Sequence, residues 1–209
     1  MGNKDIRVFK ASDDIDSARK YLECHNAILD EFKVRSHVEN SGWENKDSVY
    51  LIVLEEQDTK EILGGARLHL YTKKDELPIA SVAKKIDISV GHFLKSGVAE
   101  ICGLFLIRSA RRRLYLDLIV DHILEISDEL NLKELICAAS KHSFRSGYKF
   151  GFKHENSIGE SSVIPYPCEN EFSFFLRCDL AEHKRLELPK INSIGIEEIY
   201  KGGAKLGGR

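Results

Sequence analysis

From residue 98 to residue 138 the chain reads as a strand (VAEICGLFLI), a long amphipathic helix (LYLDLIVDHILEISDEL) and a second strand (LKELICA). Two strands joined through a helix lie parallel, and the crossover is right-handed in nearly every known case. The rest of the chain adds antiparallel material. Residues 5–10 (DIRVFK) alternate as a first strand, and 49–55 (VYLIVLE) and 62–71 (ILGGARLHLY) flank the short charged link EQDTKE as a hairpin. The order β, α, β, β, β, α, β, α, β, β therefore predicts a mixed α/β fold. Its central sheet has about seven strands, flanked by helices.

Between the first strand and the hairpin, Ala18, Leu22, His25, Leu29 and Phe32 recur at helical spacing in the segment 14–32. A polar loop follows, carrying the only tryptophan, Trp43, whose role is either to anchor the loop or to cover a substrate. In the hairpin, Gly64-Gly65 signals a bulge or the close approach of another backbone. Beyond it, alternation puts Arg67, His69 and Tyr71 on one face and Ala66, Leu68 and Leu70 on the other. Residues 75–97 read as short helical turns, and Asn131 suits a left-handed stop to the long helix. KHSFRSGYKFGF reads as a short helix closed by Gly151, with KHENSIG and EFSFFLRCDL as a final strand pair. One domain over residues 1–188 and a tail over 189–209 are expected, the tail because its composition turns to Lys, Gly and isolated apolar residues.

Lysine and arginine total 31 against 33 acidic residues, so no global charge favours nucleic acid or an anionic membrane. Any basic site is local. No apolar run approaches the ~18 residues of a membrane span, and the N-terminus lacks the apolar core of a signal peptide, so a cytoplasmic protein is expected. Position 6 is Ile where a myristoylation motif needs Ser or Thr. Five scattered cysteines without a C-x-x-C pair read as small buried thiols, with no metal framework expected. Cys102 carries no visible histidine partner and reads the same way.

Three stretches in this order, GGARLHLY (64–71) followed by LP, AEICGLFLI (99–107) followed by a basic corner and a helix, and YKFGF (148–152) after a strand, resemble the GNAT-type N-acyltransferase superfamily. Within it, the chain is most similar to the branch of autoinducer (acyl-homoserine-lactone) synthases and N-acyl amino acid synthases. The resemblance covers about residues 5–180. It implies that strands 98–107 and 132–138 are parallel neighbours that splay apart. The pantetheine arm of acyl-CoA, or of an acyl carrier protein, would lie in the gap against the backbone of Leu104, Phe105 and Leu106. It also implies a pyrophosphate on amides at the start of the following helix, where a helix N-terminus favours anions.

At that helix start the family pattern is Arg or Gln, two residues, Gly, one residue, Gly or Ala. Here it reads Arg111-Arg112-Arg113-Leu114-Tyr115-Leu116, with leucines at both small positions. Four readings stay open for the corner of Arg108, Arg111, Arg112 and Arg113. The guanidinium groups clamp phosphates in place of backbone amides, or they meet an acidic carrier protein, or donor binding is lost, or they only solvate a loop. Glu100 occupies the place of the synthases' glutamate and can act as general base once burial raises its pKa. The arginine that follows three residues later in that family is Gly103 here. Arg67 matches the family's strand arginine and would bind a substrate carboxylate, unless it and Glu100 form only an ion pair. The superfamily's usual tyrosine acid falls on Gly147, leaving Tyr148 or His142 as substitutes.

The function implied is transfer of an acyl group from a thioester to the amine of a small acceptor, such as an amino acid. Glu100 and Tyr148 would be catalytic, Leu104–Leu106 and Arg111–Arg113 would hold the donor, and Arg67, His69 and Trp43 the acceptor, without a metal. The alternative is a catalytically silent fold that binds an acyl carrier or another protein through its basic corner.

Overall fold

The computed structural model describes residues 3–34, 42–140, 143–158, 162–165 and 172–185. His142, Cys168 and the tail over 189–209 lie outside these residues. The strands are β1 (Lys4–Lys10), β2 (Val49–Glu56), β3 (Ile62–Leu70), β4 (Val98–Leu106), β5 (Glu134–Ser140), β6 (Lys153–His154), β7 (Val163–Pro165) and β8 (Phe172–Asp179). They form one sheet in the order β1-β2-β3-β4-β5-β8-β6, with β7 also pairing with β8. The β4–β5 pair is parallel and the other pairs are antiparallel. This is the mixed, GNAT-like sheet expected from the order of elements. Its extra strand over the expected seven is β7, whose three residues end in proline and are too short to show alternation.

The helices α1 (Ile15–Glu31), α2 (Pro78–Lys85), α3 (Arg113–Glu129), α4 (Phe144–Lys149) and α5 (Leu180–Arg185) complete the layers. Alternation in the strands sends Ile52, Leu54, Ala66, Leu68, Ala99 and Leu135 to one face, where Tyr115, Ile119 and Ile123 of α3 cover them. On the other face two separate clusters form. Tyr21 and Ala18 of α1 pack on Leu51, Val53 and Phe105, while Ile79, Val82 and Ala83 of α2 pack with Val98, Ile136 and Phe175. Each valine, leucine, isoleucine or phenylalanine among them, withdrawn from water, contributes about 1.5–3 kcal/mol.

Two sequence expectations shift in detail. The second parallel strand begins at Glu134 rather than residue 132: Asn131 stops α3 at φ 54°, and the next two amides bond back to Ser127 O at 2.9 Å and Gly97 O at 2.7 Å. In α1 the most deeply inward side chain is Tyr21, fully buried, whereas Phe32 is 57% exposed because the helix ends before it. Asp14 caps this helix by accepting a 3.0 Å bond from Ser17 N.

Pairing of β4 with β5 runs only from Val98↔Glu134 to Ile101↔Cys137. Beyond that, β5 continues against β8 as far as Ser140↔Ser173, and β4 continues against β3 as far as Leu106↔Gly64. The parallel strands therefore part at their C-terminal halves, as the splay requires.

Candidate active site

The seam between the two clusters on the α1/α2 face is polar. Register places Arg67 opposite Cys102 and His69 opposite Glu100, so the four side chains share one face of β3 and β4. Arg67 is 6% exposed, His69 7% and Glu100 4%. Such burial of three ionisable groups is costly unless each is satisfied, which makes their partners decisive.

Glu100 Oε2 accepts a 2.8 Å hydrogen bond from the Ile79 amide. Pro78 opens α2, so Ile79 N–H is one of the first-turn donors without an intrahelical acceptor, at the positive end of the helix dipole. Burial nevertheless dominates and pushes the carboxyl up to about 7; the Ile79 bond, a bond with Cys102 and the charge of Arg67 pull the other way by less. A carboxyl in that range exchanges protons readily at neutral pH. The half-buried Cys102 beside it is pushed well above its ordinary value by burial and by Glu100, which keeps it a thiol.

Arg67 lies over the Trp43 ring, 4.6 Å from its centre, and its buried Nε has no hydrogen-bond partner among the described residues. Among the described residues no carboxylate comes within ion-pair distance of it, Glu100 included. The alternative of a Glu100–Arg67 ion pair is therefore not what the fold makes. His69 Nε2 is likewise buried and without a hydrogen-bond partner among the described residues, with the ring edge-on to Trp43 at 6.4 Å. Burial first, then the nearby cations Arg67 and Lys46, hold its pKa well below 6.5, so the ring is neutral. Trp43, 4% exposed, is thus both loop anchor and floor under Arg67.

On the donor side, the β3–β4 register slips between Gly65↔Phe105 and Arg67↔Cys102, leaving one more residue on β4 than on β3. This is a β-bulge at Gly103-Leu104, with Gly103 at φ 60° and Leu104 40% exposed. Phe105 turns inward, 5.3 Å from the Tyr21 ring and 5.6 Å from that of His25, and Leu106 packs half-buried against the α3 face. Beyond Ile101 the side of β4 facing β5 has no ladder partner, which leaves backbone groups for a ligand.

At the corner, Arg108–Ala110 form a 3-10 turn, Arg112 is the N-cap of α3 without a side-chain cap, and no acidic residue stands in the first helical turn. Arg111 lies over Phe32 at 5.2 Å, donates from Nε to Leu106 O at 3.3 Å and approaches Glu31 at 3.7 Å; Arg113 approaches Asp117 at 3.5 Å. All four of these arginines remain exposed, and Leu114 is half-buried. Tyr148 sits elsewhere. It is 43% exposed and lies against His154 of β6 at 5.5 Å, on a helix packed upon β5 and β8. A Cβ at Gly147 would meet Leu176 Cδ1 at 2.9 Å, so the place of the family's tyrosine faces the core.

The structure thus gathers Trp43, Arg67, His69 and Glu100, sets Leu104–Leu106 beside the splay, and leaves Tyr148 outside the group. Sequence reasoning missed Tyr21, although its spacing from Ala18 and His25 is helical, and missed the Ile79 amide, which only the tertiary fold brings to Glu100.

Compared with family models and with curated proteins, the chain has no match. Among solved structures it is similar to FeeM, an N-acyl amino acid synthase from uncultured soil microbes, with TM-score 0.62 and 13% identity over 90% of this chain and 97% of that one. MesI, a CoA-dependent acyl-homoserine lactone synthase, superposes with TM-score 0.60 and 12% identity over 87% and 94%. ElaA of Escherichia coli does so with TM-score 0.61 and 12% identity over 85% and 100%. At such identities the likeness establishes a shared fold across nearly the whole of each chain.

Proposed function

We propose that the protein is an N-acyltransferase that moves an acyl group from acyl-CoA to the amine of a small acceptor bearing a carboxylate, such as an amino acid. The observation that carries this reading is Arg67, a buried guanidinium without a counter-ion among the described residues, on the same strand face as a carboxyl raised to about 7. A bound carboxylate supplies the missing charge and matches the planar fork. Held there, the acceptor's ammonium gives a proton to Glu100, directly or through a water. The freed amine attacks the thioester carbonyl, the oxyanion is met by strand amides at the β4 bulge, and as the intermediate collapses the C–S bond breaks and the thiolate takes the second proton that the nitrogen gives up. His69, neutral and with its Nε2 unbonded among the described residues, completes the acceptor pocket.

The parting of β4 and β5 supports a donor laid between them, as does the fold shared with solved CoA-dependent acyl-homoserine lactone synthases. An acyl carrier protein presenting the same pantetheine arm is the alternative donor, with the exposed arginines of the corner as its contact.

Thiol release from short- and long-chain acyl-CoA in the presence of single amino acids tests the reading. Turnover with at least one pair is expected, and Arg67→Ala should raise the acceptor KM at least ~10-fold, the scale of one lost charge-assisted hydrogen bond. Absence of thiol release with every acyl-CoA and with acyl carrier protein would leave a silent binding fold as the better account.

A further inference from the structure

Resting on the acyltransferase reading, we infer that Tyr21 is a positioning residue for acyl transfer: from α1 it fixes the β4 bulge that receives the thioester and joins it to the acceptor pocket. The Tyr21 hydroxyl donates to Gly103 O at 2.5 Å, a contact across 82 residues of sequence. Its ring is wedged between Trp43 at 6.1 Å, Phe105 at 5.3 Å and His25 at 6.3 Å. Trp43 carries Arg67, and Phe105 follows the bulge, so one fully buried side chain touches both halves of the site.

The bulge leaves little room for another arrangement. Gly103 has φ 60°, and a Cβ there would meet Tyr21 Oη at 2.8 Å and Arg67 Nε at 3.2 Å. Beneath the ring, a Cβ on Gly65 would meet Tyr21 Cε2 at 3.1 Å, so that glycine leaves the space the tyrosine fills. A bulge needs outside support because its extra residue is unpaired in the ladder. Here the Gly103 carbonyl takes its bond from a side chain of another element. Preorganised amides stabilise an oxyanion only while their direction is held.

Tyr21→Phe keeps the ring and removes the bond. Hydrogen exchange on the full chain should then quicken at the amides of residues 102–106, while β1 and β2 keep their protection. In the thiol-release assay kcat should fall ~10-fold, the scale of one unsatisfied buried acceptor, with the acceptor KM within about two-fold of wild type. Gly103→Ala reaches the same bulge from the other side, and its effect on kcat should combine with that of Tyr21→Phe less than multiplicatively. Exchange that rises evenly over the sheet, or an unchanged kcat in an active wild type, overturns the role of Tyr21 and leaves the acyltransferase reading standing. A wild type that releases no thiol from any donor overturns both.

Discussion

Glu100 illustrates how one residue is set by three elements. Its strand aims it at the seam, α2 gives it one amide, and the surrounding apolar clusters raise its pKa to about 7. Acting as a base, it requires kcat/KM to climb with pH through about 7 and level off above. Glu100→Gln should remove that rise and lower turnover ~10²–10⁴-fold, in a rate–pH profile from pH 5 to 9. Stability must move the other way. The folded carboxyl holds its proton up to about 7 while the unfolded one releases it near the ordinary value of 4.5, so between these pH values the native state binds more protons. Rising pH therefore destabilises wild type relative to Glu100→Gln across that window. His69, lowered well below 6.5, and His25, lowered to about 4 first by burial and then by Arg67, act in the opposite sense. They cost stability as pH falls below 6.5. The comparison of the two proteins by thermal melts at pH 4.5, 6 and 7.5 isolates the Glu100 share, since both histidines are present in each.

At the scale of elements, the legible parts were those whose signal is local. The helix of 14–32, the hairpin and the strand–helix–strand unit follow from periodicity, and the long helix stops where Asn131 takes a left-handed conformation. What was hidden depends on contacts between distant segments. The inward turn of Tyr21 and the outward turn of Phe32 depend on where α1 meets the sheet, and the Gly103 bulge depends on a register that only β3 defines. Gly64-Gly65 was readable as a pair needing space, and the space is now explained. A Cβ on Gly64 would meet Phe105 O at 2.6 Å, and one on Gly65 would meet Ile52 O at 2.4 Å, both backbone atoms of neighbouring strands. Gly65→Ala should consequently force β2 and β3 apart and destabilise the fold by about 1–3 kcal/mol or more, measured as a lower midpoint in urea. Little or no loss would mean that the hairpin relaxes more easily than its packing implies.

At the scale of the molecule, the sheet acts as a frame with a closed and an open end. Below Ile101↔Cys137 the parallel strands are bonded and covered on both faces; above it they part, β4 carries its bulge at Gly103-Leu104, and the arginines follow the end of β4. The corner's charge was plain in the sequence, but its ligand was not, because exposed arginines look alike whether they bind phosphate or only water. Ligand linkage separates these readings through the whole fold. Coenzyme A at 100 times its dissociation constant stabilises a protein that binds it only when folded by about 2.7 kcal/mol, which for a domain of this size raises Tm by roughly 5–10 °C. Replacing Arg111, Arg112 and Arg113 together by Ala should abolish that rise and leave the unliganded Tm nearly unchanged. The contact of Arg111 with Glu31 at 3.7 Å is an exposed pair, and that of Arg113 with the half-buried Asp117 at 3.5 Å is a long one on the helix surface, so both contribute little. Raising salt should weaken the wild-type shift, since screening shortens the reach of exposed charges. If coenzyme A shifts wild type and triple variant equally, the phosphates rest on the α3 amides rather than on the arginines. If coenzyme A shifts neither while acyl carrier protein binds wild type and not the variant, the corner is a docking face for the carrier.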